Sequence, residues 1–361
     1  MVAGSVPTSD ETGDGMTSTM RAARFTGSDR SLAVMDVPVP EPGPLELLIR
    51  VDACGICLSD VHLIDGSIPP LIDVVTPGHE SSGTIATVGG EVPGWKEGQR
   101  VALAGGKPCG MCRMCIRGRM DECQSFELMG FHYDGAWAEY VRVPYFTVTP
   151  VPDGVAPEHA AILADAVATP YAALTDTAKL HPGESVGLWG IGGLGTHAVQ
   201  LARLLGAGLI IAIDPLASAR ERALKLGADA ALDPTSGDVT MEISQLTGGG
   251  LDVAIDLVGA NAVLYEAVRS LRRRGRAVMV GLSMDRVELG PGLIFGTQAH
   301  SLLGHLGYSK RHLDELVTLL ANGRLDLSTS ISDVMPLEEV PRGVERLASK
   351  EGDPVRLVVT P

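Results

Sequence analysis

From residue 20 to about 150, apolar positions come in short alternating runs cut by Pro and Gly: "PVPEPGPLELLIRV", "SSGTIATVG", "QRVALAG" and "WAEYVRVP". Period-two alternation bounded by turn residues predicts a mostly antiparallel β unit. Near residue 165 the rhythm changes. An apolar strand in "SVGLWGIGGLG" (185–195) runs into glycines. The segments "THAVQLARLLGA", "ASARERALKLGA" and "ANAVLYEAVRSLRRRG" then carry helical spacing, interleaved with the apolar strands "LIIAID", "LDVAIDLVG" and "RAVMVGL". Strands alternating with amphipathic helices predict a parallel, doubly wound sheet. Beyond 303 the chain returns to a helix, "SKRHLDELVTLLANGRL", and short strands. The pattern is that of an α/β protein with two units, and 361 residues suffice for two cores.

Composition narrows the class. Apolar residues make up 45% of the chain, with no unbroken apolar run of the roughly 18 residues a membrane span needs. The first nineteen residues, "MVAGSVPTSDETGDGMTST", lack the basic start and apolar middle of a signal peptide, so residues 1–19 read as a disordered tail on a cytoplasmic protein. A net charge of −15 argues against nucleic acid as a partner. The one basic run, Arg272, Arg273, Arg274 and Arg276, reads as a helix end, where cations complement the dipole.

Cysteine changes the picture most. All six lie between residues 54 and 123. Cys109, Cys112, Cys115 and Cys123 follow C-x2-C-x2-C-x7-C, a spacing that suits one ion ringed by four thiolates, a closed structural zinc site. The alternative, a pair of disulfides, would close strained rings, and nothing points to an oxidising compartment. Upstream, "CGICLSDVH" (54–62) is followed by "GHE" with His79 and Glu80. A thiolate at Cys57 and an imidazole at His79 would supply two ligands of an open, catalytic zinc site. A redox role for Cys54 and Cys57 would want a helix start beside a strand; the sequence reads as a polar turn there.

Gly190, Gly192 and Gly195 form G-x-G-x-x-G where strand meets helix. The spacing allows a tight turn, close approach of a pyrophosphate, and close helix–strand packing. Asp214, at the end of the next strand, is placed to accept the adenosine ribose hydroxyls and to repel the extra phosphate of NADP. NAD is the expected cofactor.

Taken in chain order, "CGICLSDVH", "GHE", the four-cysteine lobe, "GIGGLG" with Asp214, and "VMVGL" near 280 resemble the zinc-dependent medium-chain dehydrogenases of the alcohol dehydrogenase type. The resemblance runs from Met20 to the end. It implies a GroES-like, mostly β catalytic domain over 20–165 with a structural zinc lobe at about 105–125. It also implies a Rossmann domain over 166–302, a return to the catalytic domain over 303–361, and an active site in the cleft between them. Cys57 and His79 would bind the catalytic zinc, with Asp60 fixing the His79 ring and Glu80 behind the metal. In the family the third ligand lies four residues before a nicotinamide-contacting Thr; counting back from Thr169 gives Asp165. Cys54 would lie just outside the metal shell.

The resemblance further implies cofactor contacts along Gly190, Gly192, Gly193, Leu194 and Gly195, and at Asp214, Thr169, Val258, Val280, Gly281 and Leu282. Zinc would lower the pKa of a bound alcohol, hydride would pass to NAD, and Ser59 would relay the proton through the nicotinamide ribose to His62. Leu58 and Ala219 stand where many members carry a basic residue for the cofactor. The implied protein is a homodimer or homotetramer with two zinc ions per chain, acting on a primary or secondary alcohol. A polyol or sugar dehydrogenase of the same family is the alternative, and a non-catalytic NAD-binding protein is the remote one.

Overall fold

The computed structural model describes residues 18–361. Most of the expected tail therefore lies outside the described residues, and Thr19 already opens the first strand, Thr19–Thr26. The N-terminal half builds a seven-stranded sheet around Glu46–Ile56, which is buried over most of its length. The order runs Val148–Pro150, Arg100–Leu103, Glu80–Val88, Glu46–Ile56, Leu357–Thr360, Asp333–Pro336, with Tyr140–Pro144 also paired to the central strand. Both chain ends thus supply this sheet.

The register sets up the site. Gly55 lies opposite both Glu80 and Val358, and Ile56 opposite Leu357. Three strand ends therefore meet at one edge, bringing together Cys57, which follows the central strand, His79, which precedes its neighbour, and Arg356, which precedes the last strand.

The second unit is a six-stranded parallel sheet. Its order is Ala230–Leu232, Leu209–Ile213, Ser185–Trp189, Leu251–Asp256, Leu271–Met279, Ser301–Gly304. In chain order this reads 3-2-1-4-5-6, the doubly wound arrangement whose ligands bind where the strand order reverses. Alternate side chains face opposite cores, Ile210 and Ala212 to one and Ile211 and Ile213 to the other. Sheets covered on both faces produce the continuous apolar runs read from the sequence.

Two local expectations are corrected. The arginine run is no helix end: the helix stops at Arg269, and the arginines lie on the strand Leu271–Met279. There Arg272 pairs with Asp252, and Arg276 binds Glu184 at 2.6 Å. Ion pairs to neighbouring elements, not a dipole, account for them. The expected polar turn after Cys57 is a helix, Leu58–Asp65, with Cys57 as its N-cap. Cys54 and Cys57 do sit at a strand-to-helix junction. However, Cys54 is fully buried in the central strand, and a Cβ on Gly78 would come within 2.9 Å of its sulfur.

Candidate metal centre and dinucleotide cleft

Asp60 organises the first half of the site. One carboxylate oxygen accepts the Cys57 backbone N–H at 2.9 Å, closing a capping box on the helix, and the other lies 3.3 Å from His79 Nδ1. That contact turns Nε2 inward, to 3.4 Å from Ser59 Oγ and 3.7 Å from an Asp165 oxygen. The same oxygen is 3.3 Å from Cys57 Sγ. Phe131 lies against the imidazole with ring centres 5.7 Å apart.

One ligand atom from each of Cys57, His79, Glu80 and Asp165 falls within 4.8 Å of all the others. Metal–ligand arms of 2.0–2.3 Å in a tetrahedron put donors about 3.3–3.8 Å apart, so the measured separations fit zinc. The four lobe cysteines come within about 0.2 Å of that spacing, with sulfurs 3.5, 3.9 and 4.0 Å apart and no disulfide among them. Their neck is closed by a two-strand ladder, Gly106–Lys107 with Glu127–Leu128. Backbone N–H groups point at the sulfurs of Cys109 and Cys123. Such contacts lower the Cys112 thiol to a pKa of about 6, while burial lifts Cys115 to about 12.

Electrostatics separates the two cleft carboxylates. Burial lifts Glu80 to a pKa of about 8 against the pull of Arg356, whose guanidinium lies 3.0 Å away. Burial pushes Asp165 upward too, but hydrogen bonding and charge from His79, with Arg356 and Thr169, hold it well below the ordinary carboxylate range. Asp165 is therefore the carboxylate that offers an ionised oxygen. Burial and the Asp165 charge raise the Cys57 thiol, a bias that a coordinated cation reverses. Asp165 does not cap the following helix, whose N-cap is Val167. It lies in an irregular stretch, Leu163–Val167, at φ 110° and ψ −66°, while the Thr169 hydroxyl donates to it.

Apart from Thr169, on the helix Ala168–Ala172, the residues expected to meet the cofactor lie at the carboxyl ends of the parallel strands. Gly190 adopts φ 88°, and a Cβ on Gly195 would sit 1.9 Å from the Gly190 carbonyl oxygen, so only glycine fits this crossing. A Cβ on Gly192 would meet nothing within 4 Å, which leaves its backbone open to a ligand. Leu194 caps the helix Gly195–Leu204. Gly281 packs on Gly259 so closely that a Cβ would come within 2.2 Å of its nitrogen; Val280 is buried, whereas Val258 and Leu282 are exposed. Asp214 accepts the Ile191 and Leu216 N–H groups at 2.8 Å each, fixing its carboxylate against the glycine turn. Arg220 donates to the Asp214 and Pro215 carbonyls and pairs with Asp233.

Two residues that join the halves escaped the sequence reading. Arg356, 2% exposed, contacts Glu80, and a Cβ on Gly193 would meet its guanidinium at 2.8 Å. An arginine inside the apolar run "VRLVV" was the available signal, because a buried charge demands a partner. His197 holds the Gly193 and Ala166 carbonyls at 2.7 and 3.0 Å. Ser59 and His62 stand three residues apart on the same helix, and no hydrogen bond joins them.

Fold and donor clusters together are those of the zinc-binding dehydrogenases. Residues 43–153 match the alcohol dehydrogenase GroES-like domain and residues 193–322 the zinc-binding dehydrogenase family. The chain is 33% identical to an alcohol dehydrogenase of Geobacillus stearothermophilus over 89% of its length and 94% of the relative's. It is 32% identical to the sorbitol dehydrogenase of Bacillus subtilis over 92% and 95%. A zinc-binding dehydrogenase from Sinorhizobium meliloti, solved with NADP, superimposes with a TM-score of 0.87 at 32% identity, covering 95% of this chain and 100% of that one. The chain belongs to the zinc-dependent medium-chain dehydrogenase family. It is an oxidoreductase of a family that acts on small molecules, and none of its described helices is long and apolar enough to cross a membrane.

Proposed function

We propose that this chain is a zinc- and NAD-dependent alcohol dehydrogenase that interconverts a primary or secondary alcohol with its aldehyde or ketone. The observation that carries the reading is the convergence of Cys57, His79 and Asp165 in one buried cluster tied to the glycine turn through Arg356 and His197. When bound, zinc supplies a Lewis acid that acidifies an alcohol, and NAD accepts hydride. Cys57 Sγ, His79 Nε2 and Asp165 Oδ2 hold the metal, and the lobe thiolates hold a second zinc. One thiolate and one carboxylate carry the same summed charge as two thiolates, so the acidifying effect is kept. Asp60 fixes the tautomer and orientation of His79. Ser59 Oγ, beside His79 Nε2, would accept the alcohol's proton while giving up its own toward the cofactor side, and His62, one turn along the same helix, would return a proton to solvent. Glu80 stays behind the three ligands, held by Arg356.

Asp214 favours NAD, because its fixed carboxylate would face the extra phosphate of NADP while Arg220 is committed elsewhere. The carboxylate ligand and the sorbitol dehydrogenase relative support polyol oxidation as the second reading. We assign the protein to the cytoplasm as a homodimer or homotetramer. The test is NADH formation by zinc-replete protein over primary, secondary, cyclic and polyhydric alcohols, with NAD and NADP compared by kcat/KM. Turnover with NAD supports the reading; no turnover on any alcohol, with both zinc sites full, removes it.

A further inference from the structure

Tyr308 stands four residues beyond the end of the last parallel strand, Ser301–Gly304, on the side of the sheet where doubly wound folds bind ligands. Its hydroxyl oxygen accepts the Gly105 N–H at 2.9 Å, so the segment leaving the parallel sheet reaches the root of the zinc lobe. Gly105 is also the neighbour of a metal ligand. A Cβ built on it would lie 3.0 Å from the His79 carbonyl oxygen, 3.6 Å from His79 Cβ and 3.5 Å from the Tyr308 hydroxyl. The same segment touches the nicotinamide side of the cleft, where His305 Nε2 lies 3.1 Å from the Thr169 carbonyl oxygen.

Because the Tyr308 oxygen is the acceptor in its contact with Gly105, its own proton is free to donate, and among the described residues no acceptor takes it. Burial raises the phenol pKa above its ordinary value, so it keeps that proton at neutral pH. Phe131, set against the His79 ring, is apolar and reads no polar group.

We propose that Tyr308 is a specificity-determining residue whose hydroxyl donates a hydrogen bond to a second oxygen on the carbon beside the reacting carbinol. The preferred substrates are then vicinal diols, or α-hydroxyketones in the reverse direction. A polar donor beside the metal ligands recognises such an oxygen, while a plain alcohol leaves the donor unpaired in a buried setting, which costs binding. The inference rests on the alcohol dehydrogenase reading.

The experiment compares wild type with Tyr308→Phe on 2,3-butanediol and 2-butanol, which share the reacting carbon and differ in the neighbouring oxygen. The ratio of kcat/KM, diol over monool, is expected to fall about ten-fold in the variant, mainly through KM, the size of one hydrogen bond. In the NADH-loaded protein, the larger thermal shift given by 2,3-butanediol over 2-butanol should disappear in the variant. An unchanged ratio and an unchanged shift, or equal losses on both alcohols, would mean that Tyr308 only ties the two units together, and the inference falls. Failure of the functional reading looks different: wild type oxidises no alcohol at all, and the thermal-shift comparison still decides whether Tyr308 reads a second oxygen.

Discussion

Replacing Asp165 separates its two properties, a ligand side chain and an unusual backbone. At φ 110° a residue with a Cβ is strained, by roughly 1–3 kcal/mol. Asp165→Ala removes the carboxylate and keeps the strain; Asp165→Gly removes both. Each variant should fall from two zinc ions per chain to one, the lobe ion remaining. Each should lose roughly a thousand-fold or more in kcat, since a Lewis acid contributes several kcal/mol at 1.36 kcal/mol per decade. Stability should diverge. Both variants lose the same contacts to His79 and Thr169, so their difference isolates the backbone. Glycine's extra freedom in the unfolded chain offsets about 0.4–1 kcal/mol of the relief. An unfolding entropy of about 2.1 cal/mol/K per residue then places Asp165→Gly up to roughly 3 °C above Asp165→Ala in the chelated state. The assays are metal analysis by mass spectrometry, steady-state kinetics, and calorimetry after chelation. If Asp165→Ala kept two zinc ions and near-normal kcat, Asp165 would be no ligand, and Glu80 or Cys54 would have to replace it. If the glycine variant were the less stable, the backbone argument would fail independently.

Three further outcomes follow. Asp214→Gly should weaken NAD and narrow its advantage over NADP in kcat/KM; a preference already favouring NADP in wild type would overturn the role given to Asp214. Cys112→Ala should lose the lobe zinc and lower the thermal midpoint or disturb assembly more than it lowers kcat per folded chain, whereas an unchanged zinc content would remove Cys112 from the lobe. His197 is buried with its pKa pushed down to about 4 by burial and the Arg356 charge. The unfolded chain therefore takes up a proton between about pH 6.5 and 4 that the folded chain refuses, and stability drops across that window by about 3 kcal/mol at most. Denaturant titrations should show a shallower pH slope in His197→Asn, and equal slopes would contradict the assignment.

Local chemistry was the most legible part of the sequence. The lobe spacing, the glycine turn and the pair Cys57 and His79 are short-range signals, since each depends on a few neighbouring side chains. The parallel sheet was readable because strands buried on both faces leave unbroken apolar runs. What escaped was set by distant partners. The arginines at 272–276 follow a helical pattern and resemble a helix end until Asp252 and Glu184 are seen beside them. Cys57 is not a usual N-cap residue, yet Asp60, three positions into the helix, carried the capping signal. Asp165 was reached only through family resemblance, because nothing local marks a carboxylate 86 residues after His79 as its neighbour. Arg356 and Tyr308 reach the cleft from the far end of the chain, across contacts that no short window holds.

The central claim is that the cleft holds zinc through Cys57, His79 and Asp165. Anomalous scattering at the zinc edge from crystals of the protein with NAD tests it most directly. Two peaks per chain are predicted, one within the four lobe sulfurs and one about 2.0–2.3 Å from Cys57 Sγ, His79 Nε2 and Asp165 Oδ2. A lobe peak alone, or a cleft peak bound by Glu80 with Asp165 turned away, would contradict it.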